Sequence, residues 1–339
     1  MEKQLTCGNQ QTMTNRAIRV NVLAAVAVCA VSLCSLFVGS VHIKLYDLWR
    51  GALFLFTGQG DEIAAVVLFQ IRLPRLVLAA VCGASLGAAG AGFQAVFRNA
   101  LADPFIIGSS SGAALGAGIA MLTAFPTAFA AFAGSLSAVL LAWGIAGRSQ
   151  PTALLLAGTS ISSLFSSLLS TLLIIKDGSL QRVHYWLLGS LASASWQTTL
   201  PLLPFMTVGC ATLFLCSRGI DLIAQDDETA LSLGLDVRRI RLTVILSASL
   251  ATAATVAGAG IIGFAGLAAP HAARLLTGPA HRRLLPLSAL VGGFLVIGAD
   301  IVSRTILPPL EIPIGIVTSL GGAPFFLYLL AKWGKRRTI

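Results

Sequence analysis

Charge is what this chain has least of. Only 11% of its 339 residues are Asp, Glu, Lys or Arg, against 56% hydrophobic, whereas soluble domains carry about 25% charged residues. So apolar a surface would aggregate in water, which excludes the soluble globular classes, and a mean hydropathy of +0.87 agrees. Catalytic motifs are missing as well. No G-x-x-x-x-G-K-[ST] occurs, so there is no P-loop to hold ATP, and no H-E-x-x-H is found. With no nucleophile and base constellation in view, a membrane enzyme is the weakest functional class. The six cysteines (Cys7, Cys29, Cys34, Cys82, Cys210, Cys216) form no C-x-x-C, and five lie in apolar runs. They read as packed or lipid-facing small residues, not as a disulfide framework or a metal site. The net charge of +10 builds no extended basic patch with interleaved aromatics, so no nucleic-acid partner is expected. Ionisable residues at mid-span, on which proton-driven carriers depend, are also scarce. Asp300 stands near the outer end of its run and Asp103 in an inner loop. His271 follows Pro270 in a short segment, where it reads as a structural residue.

What is present is a succession of apolar runs near 20–40, 73–97, 105–122, 124–146, 152–175, 198–216, 242–262, 264–276, 284–303 and 314–333. Each is of the order of the roughly 20 residues that span a bilayer. The fold class expected is therefore all-α, a polytopic transmembrane helical bundle of about ten helices. The stretch from Leu242 to Leu276 would be about 50 Å long as one helix, against a hydrocarbon core of about 30 Å. It must break, and Gly258, Gly260, Gly263, Gly266 and Pro270 supply the chemistry for a break.

The first run, Val20 to Ser40, follows about twenty mostly polar residues and is long enough to span, so it reads as a retained helix and not a cleaved signal. Three regions result: a cytoplasmic tail at 1–19, a transmembrane domain at 20–333 and a cytoplasmic tail at 334–339. Placing both termini inside puts sixteen Lys and Arg in the cytoplasm. Seven (Lys44, Arg50, Arg72, Arg75, Lys176, Arg182, Arg304) fall outside, which is the bias expected for that orientation. The 34 glycines, clustered as GASLGAAGAG and SSSGAALGAG, suit backbones that approach closely within a bilayer.

Three stretches interrupt the apolar background. The long hydrophilic segment 221–241, DLIAQDDETALSLGLDVRRIR, carries Asp226, Asp227 and Glu228 at the head of a short helix. Ala230, Leu231 and Leu233 form its apolar side, Gly234 and Leu235 a stop, and Asp236 a cap for a second helix. Two short amphipathic helices suit docking into a partner's groove, although a loop lying on the headgroups fits the same pattern. Arg72, Arg75 and Arg304 sit at outer helix ends, against the charge bias. They either pair with carboxylates of an external partner or anchor to lipid phosphate. In the fifth run Thr159, Ser163, Ser166, Ser167 and Ser170 share one helical face opposite Ile161, Leu164, Phe165, Leu168, Leu169 and Leu172. This is either one wall of a polar passage or ordinary small-residue packing.

With these residues on the page the chain resembles the FecCD family of importer permeases for ferric siderophores, haem and cobalamin. The resemblance rests on QIRLPRLVLAAVCGASLGAAGAGFQAVFRNALADPFIIGSSSGAALGA (70–117), LLLAG (154–158), WLLGSL (186–191) and ETALSLGLDV (228–237). It continues through GIIGFAGLAAPHAARLLTGPAHRRLLP (260–286), GADIVSR (298–304) and EIPIGIVTSLGGAPFFLYLL (311–330). It implies ten helices per subunit, a homodimer or a pairing with a paralogous permease, and two cytoplasmic ATPase subunits that carry ATP and Mg. This chain itself would hold no cofactor and hydrolyse nothing. An extracytoplasmic binding protein would deliver the cargo, with Arg72, Arg75 and Arg304 receiving its acidic residues. The helices of 221–241 would be coupling helices, Pro151 and Thr152 the inner gate, and the fifth helix part of the translocation path. Pro151 departs from the small hydroxyl residues usual at that gate. The location implied is a bacterial inner membrane, with lipid as the other partner. A secondary transporter or channel working without an ATPase is the alternative; it would have no use for paired docking helices.

Overall fold

Lipid offers a backbone amide no hydrogen-bond partner, so apolar runs of this length satisfy their amides internally as helices. The computed structural model describes residues 2–39, 46, 50, 53–54, 61–123, 125–147, 151–175 and 180–334, and at 2–16, 180 and 329–334 the backbone alone. Among the described residues every regular element is helical. Helix α1 runs Glu2–Phe37, so the residues before the first apolar run are already part of its helix. Helix α2, Glu62–Val96, starts at an Asp61 cap whose carboxylate accepts the Ala64 amide at 3.0 Å. It contains a π-turn over Val67–Arg72 in which the Leu73 amide reaches Leu68 O. Pro74 has no amide to give Gln70, and the ladder slips by one residue there.

The chain continues through α3 (Ser109–Thr123), α4 (Thr127–Ala146) and α5 (Pro151–Ile175). Two short helices follow, α6 (Leu180–Leu187) and α7 (Trp196–Thr199), then α8 (Leu203–Leu215). After a bend of 61° comes α9 (Ser217–Gln225), then α10 (Asp227–Ser232) and the long α11 (Val237–Ala259). The last three are α12 (Ala265–Thr277), α13 (His281–Thr305) and α14 (Ile314–Gly334).

Each of the ten apolar runs therefore coincides with a helix. By length and composition six of the described helices are able to cross a membrane, or seven if the bent α8–α9 pair is one span. The expected break between 242 and 276 is real but narrower than the glycines and proline implied. It occupies Gly260 to Phe264, both with positive φ (69° and 64°), while Gly266 and Pro270 lie inside α12 and Gly258 inside α11. Asp236 caps a helix as expected, accepting the Arg239 amide at 3.0 Å, but that helix is the long α11; the second short helix is α9, which precedes α10. Of the residues in the charge census, Lys44, Arg148, Lys176, Lys335, Arg336 and Arg337 lie outside the described residues, as does the tail 335–339.

The core is built on α2. A Cβ added at Gly83 would stand 2.2 Å from Gly292 O on α13, and one at Gly90 would stand 1.8 Å from Gly266 O on α12. Those backbones touch directly, as small residues allow in a bilayer. Gly112 and Gly134 seal α3 against α4 in the same manner, each Cβ meeting the other's carbonyl at 2.2 Å.

Candidate transport and coupling sites

One end of the bundle carries the α9–α10 elbow. Asp226 caps α10, accepting the Thr229 amide at 3.1 Å, and Gly234 closes the following turn at φ 77°. Helix α10 is held on its inner side. Ala230 is fully buried and Leu235 packs on the core, while Asp227 accepts two hydrogen bonds from Arg241 of α11, at 3.0 and 2.9 Å, and another from Arg98. Burial works against the Asp227 carboxylate, but Arg241 and Arg98 outweigh it and hold its pKa below the usual carboxylate range. Its outer side carries Leu231 and Leu233, 60% and 66% exposed, with Glu228 exposed between Asp227 and that pair. Two large apolar side chains thus stand out beside a charged anchor.

Pro151 and Thr152, the expected gate, open α5 at this same end. Pro151 lines a cavity of about 270 Å³ with Trp143, Leu231, Asp236 and Arg241, so the start of α5 lies against the elbow. A second cavity, of about 570 Å³, is lined by Gln94, Arg98, Asp221, Arg274 and His281. Asp103 lies in the loop between α2 and α3. Burial pushes its carboxyl up to about 6, against the opposing hydrogen bond it accepts from the Phe105 amide.

Thr159, Ser163, Ser166, Ser167 and Ser170 all lie on the exposed side of α5, with Ile161 and Leu169 buried behind them. Leu164 and Leu168 of the expected apolar face are themselves about half exposed, so α5 is an outer helix of the single chain. Thr159 donates to Leu156 O and Ser170 to Ser166 O, each at 2.9 Å. Back-bonding of this kind satisfies a hydroxyl within an apolar setting and leaves its lone pairs available to a passing solute.

At the opposite end of the bundle the three arginines do not project as free surface charges. Arg72, Arg75 and Arg304 are only 6%, 8% and 5% exposed. Arg75 donates to Asp300 at 2.9 Å and, bidentately, to Glu311 at 3.0 and 2.9 Å. Arg304 donates to Ser35 O at 2.7 Å and lies 3.4 Å from Asp300, and Arg72 donates to Leu36 O. They are engaged within the chain because a guanidinium this buried must be paired. Sequence reasoning placed the arginines at one end correctly but missed their partner Glu311, whose only signal was a lone carboxylate in the proline-flanked loop after α13. It also missed Asp221, Arg241 and His281, which lie on three different helices, and Arg98 in the turn after α2.

Comparison with known proteins agrees with this geometry. The FecCD transport family model matches residues 26–332. A cobalamin import system permease of Halobacterium salinarum is 45% identical over 79% of this chain and 74% of its own length. An iron(3+)-hydroxamate import system permease of Bacillus subtilis is 34% identical over 95% and 99% respectively. A hemin transport system permease of Yersinia pestis is 36% identical over 88% and 90%. Among solved structures, a transporter assigned to the metal-chelate type of ABC transporters, in an inward-facing conformation, superposes with a TM-score of 0.83. It is 31% identical and covers 93% of this chain and 99% of that one. A multi-pass helical bundle whose fold and sequence match these relatives over most of its length, the chain belongs to the FecCD transport family and is a permease subunit of an ABC importer.

Proposed function

We propose that the chain carries a metal chelate of the ferric siderophore, cobalamin or haem class across a bacterial inner membrane, with both termini cytoplasmic. Two copies, or one copy and a paralogue, enclose the path. Two ATPase subunits, holding ATP and Mg, grip the α9–α10 elbows, and this chain contributes no catalysis and no cofactor of its own. The observation that carries the ATP-driven reading is α10: a short helix fastened to the core by Asp227 and Ala230 while it presents Leu231 and Leu233 outward. A secondary carrier would need ionisable groups at mid-membrane and has no use for such an elbow.

The path runs along the hydroxyl face of α5. In a single chain that face is exposed, and a second copy would turn it into one wall of a passage; weak polar lining lets a large cargo leave. A binding protein docks at the opposite end, where Arg75 exchanges the one-third exposed Glu311 for an acidic residue of the partner, with Arg72 and Arg304 beneath it. Pro151 and Thr152, next to the elbow, form the inner gate. The relatives' cargoes differ, and uptake of labelled ferric siderophore, cobalamin and haem by vesicles carrying the assembled importer decides among them. The ATP-driven reading is tested with Leu231→Asp/Leu233→Asp. The doubly substituted chain should fold normally, because both side chains are exposed, yet fail to retain an ATPase subunit that the wild type retains in detergent. Equal retention, or uptake by the purified chain alone, refutes it.

A further inference from the structure

We infer that α2 and α13 move as one rigid strut, and that Asp221 and Arg98 are the positioning residues that latch its inner end to the α9–α10 elbow. This inference rests on the ATP-driven reading and adds to it a route from the elbow to the far end of the bundle.

The two helices leave no slack between them. A Cβ at Gly83 would meet Gly292 O at 2.2 Å, one at Gly292 would meet Gly83 O at 2.1 Å, and one at Gly87 would meet Ser288 O at 2.1 Å. Backbones in direct contact over a full turn cannot slide past each other as side chains do. At the outer end the pair is tied by Arg75 of α2 and Asp300 of α13, both buried, 2.8 Å apart. At 25 residues α13 is roughly 37 Å long, enough to reach from one face of the membrane to the other.

The inner ends are fastened to the elbow by two independent sets of bonds. Helix α13 begins after Ala280, which has no capping side chain. The missing cap comes from α9: Asp221 accepts the His281 amide at 2.7 Å and Nδ1 of the same residue at 2.8 Å. An N-terminus left without an acceptor would expose unsatisfied amides and the positive end of the helix dipole, so this contact fixes where α9 lies on α13. In the turn just after α2 stands Arg98, a non-glycine residue with φ 48°. Such a conformation persists only where the surroundings over-determine it. Here they do: Arg98 donates from Nε and Nη2 to Ile223 O of α9, both at 2.9 Å, and also to Asp227 of α10. Arg274 of α12 adds a cross-tie to Gln94 of α2 at 3.1 Å. A push on the elbow thus reaches both strut helices through short polar bonds, and the strut ends at the Arg75–Asp300–Glu311 cluster.

The assembled importer in lipid, with its own ATPase and binding protein, tests the assignment. Three quantities are read: basal ATP hydrolysis, its stimulation by loaded binding protein, and cargo moved per ATP. In Asp221→Ala the elbow keeps Leu231, Leu233 and the Asp227 anchor, so the ATPase should stay bound and basal hydrolysis should stay within about twofold, while stimulation and cargo per ATP fall about tenfold. Asp221→Asn retains an acceptor oxygen and should restore both. If Asp221→Ala does not assemble, Arg98→Lys, which keeps the charge but not the two-pronged grip on Ile223 O, serves in its place with the same expectation. Stimulation unchanged in the variant, or lost only in proportion to basal hydrolysis and to the amount of complex, overturns the strut. A wild-type chain that retains no ATPase overturns the underlying reading instead.

Discussion

Replacing Gly90 by alanine is the sharpest test of the packing at the centre of the bundle. The new methyl group would lie 1.8 Å from Gly266 O and 3.1 Å from Gly266 Cα. A carbon and an oxygen need about 3 Å or more, so α2 and α12 must separate by more than about 1 Å. Neither colliding atom belongs to a flexible side chain, and Gly266 is itself confined, since a Cβ on it would lie 2.6 Å from Pro104. Overpacking by one carbon costs about 1–3 kcal/mol, and a backbone-to-backbone clash with no escape belongs at the upper end. The better helix propensity of alanine returns at most about 1 kcal/mol. At roughly 2–4 °C per kcal/mol, a net loss near 2 kcal/mol lowers the thermal midpoint by about 4–8 °C. The assay is thermal unfolding in detergent beside Gly144→Ala, an exposed position on α4 where a Cβ meets nothing within 4 Å. With no clash to set against the propensity gain, that control should be no less stable than the wild type and up to about 1 kcal/mol more stable. Equal midpoints for the two variants would refute the direct backbone contact.

Asp103→Asn keeps the acceptor for the Phe105 amide and removes a carboxyl whose pKa burial has raised to about 6. A raised carboxylate pKa weakens the fold as pH rises from the unfolded value near 4 through 6. The variant should therefore be the more stable at pH 7, by at most about 3 kcal/mol, with the gap closing towards pH 4; a gap independent of pH counts against it. Arg75→Ala leaves the buried Asp300 with Arg304 at 3.4 Å as its remaining ion-pair contact. It should cost about 3 kcal/mol or more, part of which Asp300→Asn in the same chain recovers; thermal unfolding of single and double variants measures both. Ser163→Leu should slow cargo uptake several-fold with ATPase retention unchanged, and unaltered uptake would take α5 off the path.

How much of this was legible beforehand follows from the range of each interaction. The ten apolar helices were readable because hydropathy is local and a span is simply a run. Asp226, Gly234 and Asp236 were readable because capping and turn closure act within a few residues. Pro270 misled: it removes one ladder bond, to Gly266 O, but the helix continues through it where packing holds the turn. The hydroxyl stripe on α5 was visible as a period, but its exposure was not, because burial depends on which helices come to lie beside it.

The residues that tie the bundle together follow the other rule. Arg75 and Glu311 are separated by 236 positions, Arg98 and Asp227 by 129, and Asp221 and His281 by 60. No period or spacing connects such pairs, and only the folded chain brings them within bonding distance. The sequence alone determined that the chain lives in a membrane as helices and where the short helix α10 begins and ends. The tertiary structure decided that the outer arginines are already engaged, and that the elbow is fastened to the two helices whose far ends hold them. Hydrophobicity is a property of each residue by itself, whereas a buried charge is defined by the partner it finds.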